Sequence, residues 1–544
     1  MDSGMEKPDL ISTSSGFSVF YKNKYLYSRY APKKAILSLI DGITIPPETL
    51  VLCVSPLLGY GLSELLKKLP SSSFAAAIEY DKALMDFSLK NIDPSIFKHE
   101  NFFYARTESV HLFLKKIEKE TADKNLKKII RLDFSAGAAL YGDFYKTVED
   151  FTSEYISRFW INKLTLIQFG RNYARNVFKN YIEILKNKDR IKKLKPNSIF
   201  KPILTVGAGP SLDGSIKFIE ENKNNLFILA VDAAAARLLP KIKPDAIIVL
   251  ESQYWIQKAF IGLANSKIPI IADLTSNPYA VQTLKGIFTF FFTEYTSSSF
   301  FDKLAEKKLL PPLIEPMGSV GLSALSIAKI LASPGIPIFH TGLDFSWGTG
   351  FTHSKTSYQV NETFSSCTRL KPLYSLSSIT GEKIERVTGK NGKKVLTSPN
   401  LKNYSEIYKR VFSHTPNIFD IGKHGLLINS NMINENTAKE IIDKANKLNK
   451  NKGFHFYESL SQEYHVEIYN VIKTEKEKLL TLKNIFTHKV KASDTEIENL
   501  LNSVPYLYLH FADFSKRNLL TANFLNRIRI ELEYFLKILY RIQS

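Results

Sequence analysis

The feature that most constrains the fold is a strand–turn–helix pattern that repeats through the middle of the 544-residue chain. Three short apolar runs, at residues 226–231, 246–250 and 269–272, each end in an acid; the acids are Asp232, Glu251 and Asp273. Strands that alternate with helices form parallel sheets, and open α/β sheets bind ligands at the carboxyl ends of their strands. The sequence therefore predicts an α/β fold with a site at that edge, although each acid alone is also typical of a helix N-cap.

A glycine-containing turn precedes this series. The apolar run 203–206 leads into a helical pattern through the turn Gly207-Ala208-Gly209-Pro210-Ser211. The glycines permit a tight turn, and Pro210 suits the first helical position, where no N–H is needed. A helix N-terminus beside the Ser211 hydroxyl favours an anion such as a phosphate. Leu212 stands where a dinucleotide-binding fingerprint needs its third glycine, so the turn does not match that fingerprint.

Two later segments add candidates. Gly318 and Ser319 begin an apolar helix rich in small residues, which again suits a phosphate or a sugar. The apolar run 336–342 ends close to Asp344, and a glycine-rich loop then brings in His353. A flexible loop beyond a strand end is where a lid with a proton-transfer group would lie, although a loop histidine is in most cases only a surface residue.

The remaining regions predict scaffold. Residues 46–136 follow a strand–turn–helix–strand order that ends at Glu79, but Ser55, Pro56 and Leu57 stand where a ligand-binding turn needs glycine. We therefore favour a Rossmann-like domain that binds nothing over one that retains a ligand. Residues 144–195 predict connecting helices, with Asn172, Asn176 and Asn180 on one polar face of a domain junction.

The final region has helical spacing. Its apolar residues favour core packing over an acceptor-docking face, and they are Tyr506, Leu509, Phe511, Phe524, Ile528, Leu532, Phe535, Leu536 and Leu539. The predicted domains are therefore a Rossmann-like domain at 1–140, a helical connector at 141–198, a central Rossmann-like domain at 199–435 and an α-helical domain at 436–544.

Composition limits the function classes. The chain has 73 Lys+Arg and 53 Asp+Glu, a net charge of +20, but its basic residues are spread without a like-charged block, so we expect small anionic substrates rather than nucleic acid. Cys53 and Cys367 are far apart and exclude a disulfide framework and a cysteine zinc site. The absence of a signal-peptide pattern and of a long apolar run predicts a cytoplasmic protein without stable membrane insertion.

Several motifs together resemble the motility-associated factor (Maf) flagellin glycosyltransferases, whose central domain is related to 6-hydroxymethylpterin diphosphokinase-like proteins. They are the 207–212 turn, Gly318-Ser319-Val320-Gly321, Thr341-Gly342-Leu343-Asp344-Phe345, Leu58-Gly59-Tyr60-Gly61 with Ile78-Glu79, and the segment 389–397 with Tyr404. Asp420 and His424 lie near residues 425–428, which only weakly match a later family motif. The resemblance covers roughly residues 45 to 435.

The central motifs are also similar to bacterial sialyltransferases that use a CMP-activated nonulosonic acid, so the expected central domain is sialyltransferase-type and GT-A-like. In that family an H-S-K motif, here His353-Ser354-Lys355, supplies the catalytic base. The resemblance implies that Gly207, Ala208, Gly209, Pro210, Ser211, Gly318 and Ser319 bind the donor, that Asp232 and Glu251 hold ribose hydroxyls, and that Asp344 orders the loop or the base. Ala208 replaces the asparagine that contacts the nucleotide in that family.

The resemblance implies transfer of a pseudaminic or legionaminic acid from a CMP donor to a Ser or Thr hydroxyl of flagellin. No metal cofactor is required, because the chain lacks the D-x-D pair that holds a divalent ion on a diphosphate. Two alternatives remain open. One is Mg²⁺-dependent pyrophosphoryl transfer from ATP to 6-hydroxymethyl-dihydropterin, with Asp232, Glu251 and Asp344 as carboxylates. The other is a non-catalytic module that binds a nucleotide sugar.

Overall fold

Parallel sheets form the centre of two compact units in a computed structural model that describes residues 7–105, 109–121, 124–239, 241–348, 351–372, 383–449, 455–513 and 520–541, without the Arg158 side chain. The first unit comprises Met1–Gln168 and Phe511–Asn518. The second comprises Phe169–His510 and Leu519–Ser544. The predicted α/β fold class is confirmed. No helix of the described ranges is both long enough and apolar enough to cross a membrane.

The first unit contains two sheets. An antiparallel sheet has the strands β1 (Asp9–Thr13), β2 (Gly16–Tyr21) and β3 (Lys24–Tyr25), and a parallel sheet in the order β6-β5-β4-β7 has β4 (Thr49–Val54), β5 (Phe74–Ile78), β6 (Phe102–Ala105) and β7 (Lys128–Asp133). The helices are α1 (Lys34–Gly42), α2 (Leu62–Lys68), α3 (Lys82–Asn91) and α4 (Val110–Glu120). All six residues of β4 are buried, as their apolar sequence requires for a central strand.

Side chains of the first unit fill the place where its sheet would bind a ligand. β4 lies between β5 and β7, and the residue after it, Ser55, donates its hydroxyl hydrogen to Glu79 at 2.7 Å. Tyr145 donates to the other oxygen of Glu79 at 2.5 Å. Burial raises the pKa of the Glu79 carboxyl to about 7. The Tyr27 hydroxyl donates to the carbonyl oxygen of Pro56 at 2.9 Å, within the same turn.

Helix α5 (Gly142–Lys186) is 45 residues long, and its residues from Phe169 belong to the second unit. The strands of that unit are β8 (Ile191–Leu194), β9 (Ile203–Val206), β10 (Phe227–Val231), β11 (Ala246–Val249), β12 (Ile270–Asp273), β13 (Phe288–Thr293), β14 (Leu313–Ile314), β15 (Ile338–Thr341), β16 (Glu385–Thr388), β17 (Lys394–Thr397), β18 (Ile418–Asp420) and β19 (Tyr457–Ser459). Its further helices are α6 (Leu212–Asn222), α7 (Asp232–Leu238), α8 (Tyr279–Thr283), α9 (Ser299–Glu306), α10 (Val320–Leu331), α11 (Tyr358–Ser366), α12 (Pro399–Phe412), α13 (Glu435–Leu448), α14 (Gln462–Phe486), α15 (Asp494–Ser503) and α16 (Ala522–Leu539).

The sheet of the second unit reverses its direction of growth between β9 and β15. Its order is β18-β15-β9-β10-β11-β12-β13-β8-β19, with β14 beside β13 and the pair β16–β17 separate. The chain adds β10 to β13 on one side of β9 and places β15 and β18 on the other. Ligands of open α/β sheets bind in the crevice at such a reversal, beyond the carboxyl ends of the strands. We therefore expect the ligand site among the residues that follow β9 and β15.

Two outer strands extend the sheet beyond the predicted central domain. β8 lies in the predicted connector, and β19 lies in the final region, which the sequence predicted to be helical. They pair with each other in antiparallel register, with Lys192 opposite Ser459. The apolar stripe of the final region is buried, as core packing predicts. The rings of Tyr506 and Phe535 contact Phe178 of α5 at centroid distances of 5.2 and 5.8 Å.

Candidate functional site

The predicted glycine turn lies directly on the end of β15. Gly207 donates its N–H to the carbonyl oxygen of Thr341 at 2.8 Å, and Gly209 donates to that of Gly342 at 2.8 Å. A β-carbon built on Gly207 would lie 2.4 Å from the Gly342 oxygen, and one on Gly209 would lie 2.7 Å from it. Side chains at these two positions would separate the strands, so glycine is required here for close approach of two backbones.

The carboxylate of Asp344 already lies at the N-terminus of α6. Asp344 is buried, and its carboxylate accepts the Ser211 N–H at 2.7 Å and the Ser211 hydroxyl through its other oxygen. Burial raises the pKa of Asp344 to about 6, while the hydrogen bonds from Ser211 act in the opposite direction. The Ser211 hydroxyl, which we expected beside a phosphate, thus has a partner inside the protein, as do the N–H groups of Gly207 and Gly209. That this turn binds the donor stays a prediction.

A second helix start lies against the same turn. Ser319 is the N-cap of α10 and makes no capping bond through its side chain. Leu343, in the loop after β15, fills the space beside Gly207 and Gly321, because β-carbons there would lie 2.6 and 2.3 Å from its Cδ2 atom. Gly318 has a φ of +67°, and the Tyr404 ring lies over it. The structure thus brings the two predicted glycine motifs together around one leucine, which the sequence analysis did not assign a role.

Acids lie at the carboxyl ends of β10, β11 and β12, as predicted, but they differ in their contacts. Asp273 is buried and accepts hydrogen bonds from the Thr275 N–H and hydroxyl, both at 2.6 Å. Asp232 accepts the N–H of the next residue, at 2.7 Å, and burial together with the negative charge of Glu251 raises its pKa to about 7. Glu251 accepts the Gln253 N–H at 2.8 Å. Asp232 and Glu251 thus accept fewer hydrogen bonds at this edge than Asp273, which orders its own loop.

The His353 loop attaches to the glycine turn. The N–H of Ser354 donates to the Ala208 carbonyl at 2.8 Å, and that of Lys355 donates to the Asp213 carboxylate at 3.1 Å. Burial lowers the pKa of His353 from 6.5 to about 4, and its Nδ1 atom lies 2.9 Å from the Thr352 hydroxyl. The pKa of His353 therefore lies below that of an ordinary histidine, and its imidazole is neutral at pH 7. The loop residues Thr349 and Gly350 lie outside the described residues.

Helix α11 connects this loop to the acids. Ser357 caps the helix, and Tyr358 follows it. Burial, with smaller effects from the charges of Asp232 and Glu251, raises the pKa of Tyr358 to about 12. Tyr358 therefore lies within electrostatic reach of both acids. The site thus joins His353, the glycine turn and the predicted ribose-binding acids, with Tyr358 as a residue that the sequence analysis missed.

A buried ion pair lies within electrostatic reach of Asp344. Lys390 donates to Asp420 at 2.6 Å and to the Gly422 carbonyl at 3.2 Å, and both charged side chains are almost completely buried. The positive charge of Lys390 also counteracts the pKa rise of Asp344. His340 lies 3.8 Å from Asp420 and contacts the Tyr408 hydroxyl at 2.8 Å. Sequence reasoning assigned no role to this pair, because its members are 30 residues apart and no spacing rule connects them.

Metal ligands are not grouped in the described ranges: no three His, Cys, Asp or Glu side chains there converge on a common point. To bind a magnesium ion, Asp344 would have to share its carboxylate with the two donors of Ser211. Asp232 and Glu251 each accept one backbone N–H, from Ala233 and Gln253, and so have fewer such bonds than Asp344.

Comparisons with known proteins agree with this architecture. Residues 175–350 match the family model of 6-hydroxymethylpterin diphosphokinase MptE-like proteins. An uncharacterised protein of Treponema pallidum (strain Nichols) is 38% identical over 550 residues, which cover 99% of this chain and 96% of the relative. A solved Maf glycosyltransferase from Magnetospirillum magneticum AMB-1 superimposes with a TM-score of 0.60 over 99% of this chain and 92% of that chain, at 13% identity. The resemblance predicted from the motifs is confirmed, and at that identity the superposition shows the fold.

Proposed function

The chain belongs to one family with the Treponema pallidum protein and has the Maf glycosyltransferase fold with an MptE-like central domain, and on this premise we propose that it is a glycosyltransferase that uses a nucleotide-activated sugar. The observation that carries the proposal is the crevice between β9 and β15. There the glycine turn, the start of α10 and the His353 loop meet. Crevices at this position of open α/β sheets bind nucleotides.

The donor that we propose is a CMP-activated nonulosonic acid of the pseudaminic or legionaminic type. Its single phosphate would lie at the start of α10, where Ser319 makes no capping bond, since the start of α6 is already neutralised by Asp344. Asp232 and Glu251 would accept hydrogen bonds from the ribose hydroxyls. Such a donor needs no divalent ion to bridge a diphosphate, so metal-independent transfer remains a prediction.

His353 is the proposed general base. If its Nδ1–H donates to Thr352, the Nε2 atom is the free proton acceptor. Nε2 would take the proton of the acceptor hydroxyl while its oxygen forms a bond to the anomeric carbon and the bond from that carbon to the CMP phosphate oxygen breaks. A low pKa keeps the imidazole neutral at pH 7, so the base is present in its active form. The proposed acceptor is a Ser or Thr of flagellin.

Transfer of a pyrophosphoryl group from ATP to a hydroxymethylpterin is the second candidate, because the MptE-like match covers the site residues from β9 to the end of β15. It requires Mg²⁺ on carboxylates. Of the three that were predicted for it, Asp344 accepts two hydrogen bonds from Ser211, whereas Asp232 and Glu251 accept one backbone N–H each. A module that binds a nucleotide sugar without catalysis is the third candidate. It predicts that no sugar is transferred and that replacing His353 changes nothing.

A transfer assay separates these candidates. Purified protein is incubated with CMP-activated nonulosonic acids and flagellin, and intact-mass spectra report sugar addition with and without EDTA. We expect addition that EDTA does not change, and a loss of about 10²- to 10⁴-fold in rate for His353→Ala with unchanged CMP binding. His414→Ala, at an exposed histidine, is the matched control and keeps the wild-type rate. Full transfer by His353→Ala would contradict the assigned base.

A further inference from the structure

A cavity of about 630 Å³ lies against α5 and has no role in the function proposed above. It is bounded by α5, by the segment after β11 and by the segment after β12. Two asparagines of α5 attach the helix to these segments. Asn176 donates to the carbonyls of Ser252 and Thr275 at 2.9 and 2.8 Å, and Asn180 donates to those of Leu274 and Ser276 at 2.9 Å each. The walls are therefore fixed by buried hydrogen bonds.

The lining carries an excess of positive charge. Arg175, Lys179, Lys186 and Arg541 face a single lining carboxylate, Glu183. That carboxylate already accepts hydrogen bonds from Gln282 and Asn187, at 2.9 and 2.8 Å. In the described part of the chain, no Asp or Glu forms an ion pair with any of the four cations.

The cations also act on one another. The pKa of Lys179 is lowered by burial and, to a smaller extent, by the charges of Arg175 and Arg541. Like charges held together without a counter-ion cost free energy, and an anionic ligand would remove that cost.

The remaining lining is suited to a polypeptide rather than to a bare ion, because exposed aromatic rings form the rim. Tyr254 and Trp255 are 60% and 58% exposed.

Aromatic and arginine side chains dominate the binding energy of protein interfaces. The rim therefore combines an apolar surface with a cationic interior. The position of the cavity along the chain also matters. Asn176 donates a hydrogen bond to the carbonyl of Ser252, which directly follows Glu251 of the donor site. Gln253, which lines the cavity, lies two residues after Glu251, so a chain bound here would contact the segment that carries an acid we assign to the ribose.

We propose that this cavity, which we name the α5 cavity, binds an acidic segment of the acceptor polypeptide and presents its neighbouring Ser or Thr to the donor crevice. The inference rests on the proposed glycosyltransferase function. The apolar stripe of α16 cannot serve instead, because it is buried in the core. Carboxylates of the segment would pair with Lys179, Lys186 and Arg541, and its apolar residues would lie on Tyr254 and Trp255.

Binding of labelled peptides to the full chain tests this assignment without any donor. The probes are a fluorescent peptide of alternating Glu and Ser and its counterparts in which Gln or Lys replaces Glu, measured by anisotropy. We expect only the acidic peptide to bind, with an affinity that falls as NaCl rises from about 50 to 500 mM. The exposed pair Lys186→Glu/Arg541→Glu should weaken binding at least about tenfold. Lys179→Met, a change of similar size without the charge, should weaken it in the same direction.

Lys188→Glu is the control, because Lys188 is exposed just beyond α5 and does not line the α5 cavity. It should bind as the wild type does, and all variants are checked for an unchanged melting temperature. Equal binding by the Lys186→Glu/Arg541→Glu variant would overturn the inference, as would displacement of the peptide by CMP or by inorganic phosphate, which would make this a small-anion site. If peptide binds as expected but no sugar is transferred, the proposed function fails and the peptide site stands.

Discussion

At the residue scale, a predicted anion site can be neutralised by the protein itself. The turn after β9 has two glycines and leads into a helix start that favours a phosphate, yet the Asp344 carboxylate accepts hydrogen bonds from the N–H and the hydroxyl of Ser211. The local sequence correctly indicates a helix start that favours negative charge. It does not indicate the source of that charge, because Asp344 is 133 residues away along the chain. The same limit applies to Lys390 and Asp420, which meet only through the tertiary fold.

The pH dependence of transfer should report His353 directly. Burial lowers its pKa to about 4, so the imidazole is neutral and able to accept a proton throughout the neutral range. Lowering the pH protonates it only near pH 4, whereas a histidine with an ordinary pKa would lose the activity near pH 6.5. We predict that kcat/KM, from initial rates at subsaturating acceptor, is constant between about pH 8 and 5 and falls below that. An acid limb centred near pH 6.5 would contradict this assignment.

At the element scale, small residues allow α10 to approach the glycine turn. A β-carbon on Gly321 would lie 2.3 Å from Leu343 Cδ2, so Gly321→Ala must displace either the helix or the leucine. We predict a loss of about 1–3 kcal/mol in the free energy of unfolding, measured with urea. In a Leu343→Ala background the same substitution should cost close to nothing in the free energy of unfolding, because the Leu343 side chain that it would clash with is absent.

Gly214→Ala is the matched control for that cycle. Gly214 lies inside α6, and a β-carbon there would meet nothing within 4 Å. Alanine should stabilise the helix by about 0.5–1 kcal/mol, since glycine loses more backbone entropy on folding. Equal costs of Gly321→Ala with and without Leu343 would show that Leu343 does not set the approach of α10.

Helix α5 should depend on its two buried asparagines. Asn176→Ala removes two buried hydrogen bonds, to the carbonyls of Ser252 and Thr275, which should cost about 1–3 kcal/mol in the free energy of unfolding. Asn176→Asp should cost more, because a carboxylate cannot donate to a carbonyl. Asn172→Ala, one turn earlier and only half-buried, is the control and should change stability by no more than about 0.5 kcal/mol. Urea titration measures the free energy of unfolding of the three variants. An equal loss for Asn172→Ala would contradict the claim that Asn176 attaches α5 to the sheet segments.

Strands could be predicted from sequence where burial dictates their composition. β10, β11 and β12 are continuous apolar runs because both faces of a central parallel sheet are covered, and the acids that follow them mark their ends. β8 and β19 have the sequences Ile-Lys-Lys-Leu and Tyr-Glu-Ser, and they are the last two strands on one side of the sheet. Their polar residues carry no strand signal, and Lys192 and Ser459 pair across 267 positions. β8 and β19 can therefore be recognised as strands only from their pairing in the folded sheet.

At the scale of the whole molecule, the final helices are part of the core of the second unit. α14 and α16 contact each other, and Tyr506 and Phe535 lie on Phe178 of α5. Deleting residues 462–544 would expose that face, so we predict an insoluble chain or one that binds a hydrophobic dye, assayed by centrifugation and fluorescence. A chain that ends at Arg541 is the control and should remain soluble. A soluble, cooperatively melting 1–461 fragment would show that these helices form a separate domain.

Calorimetric titration of the purified chain with CMP, and separately with ATP, each with and without Mg²⁺, tests the central claim most directly. The account predicts that CMP binds equally well in both conditions. Gly209→Val should weaken that binding, because a β-carbon there would lie 2.7 Å from the Gly342 oxygen, while Gly214→Ala should not. Magnesium-dependent binding of ATP without binding of CMP would contradict the glycosyltransferase in favour of the pyrophosphokinase.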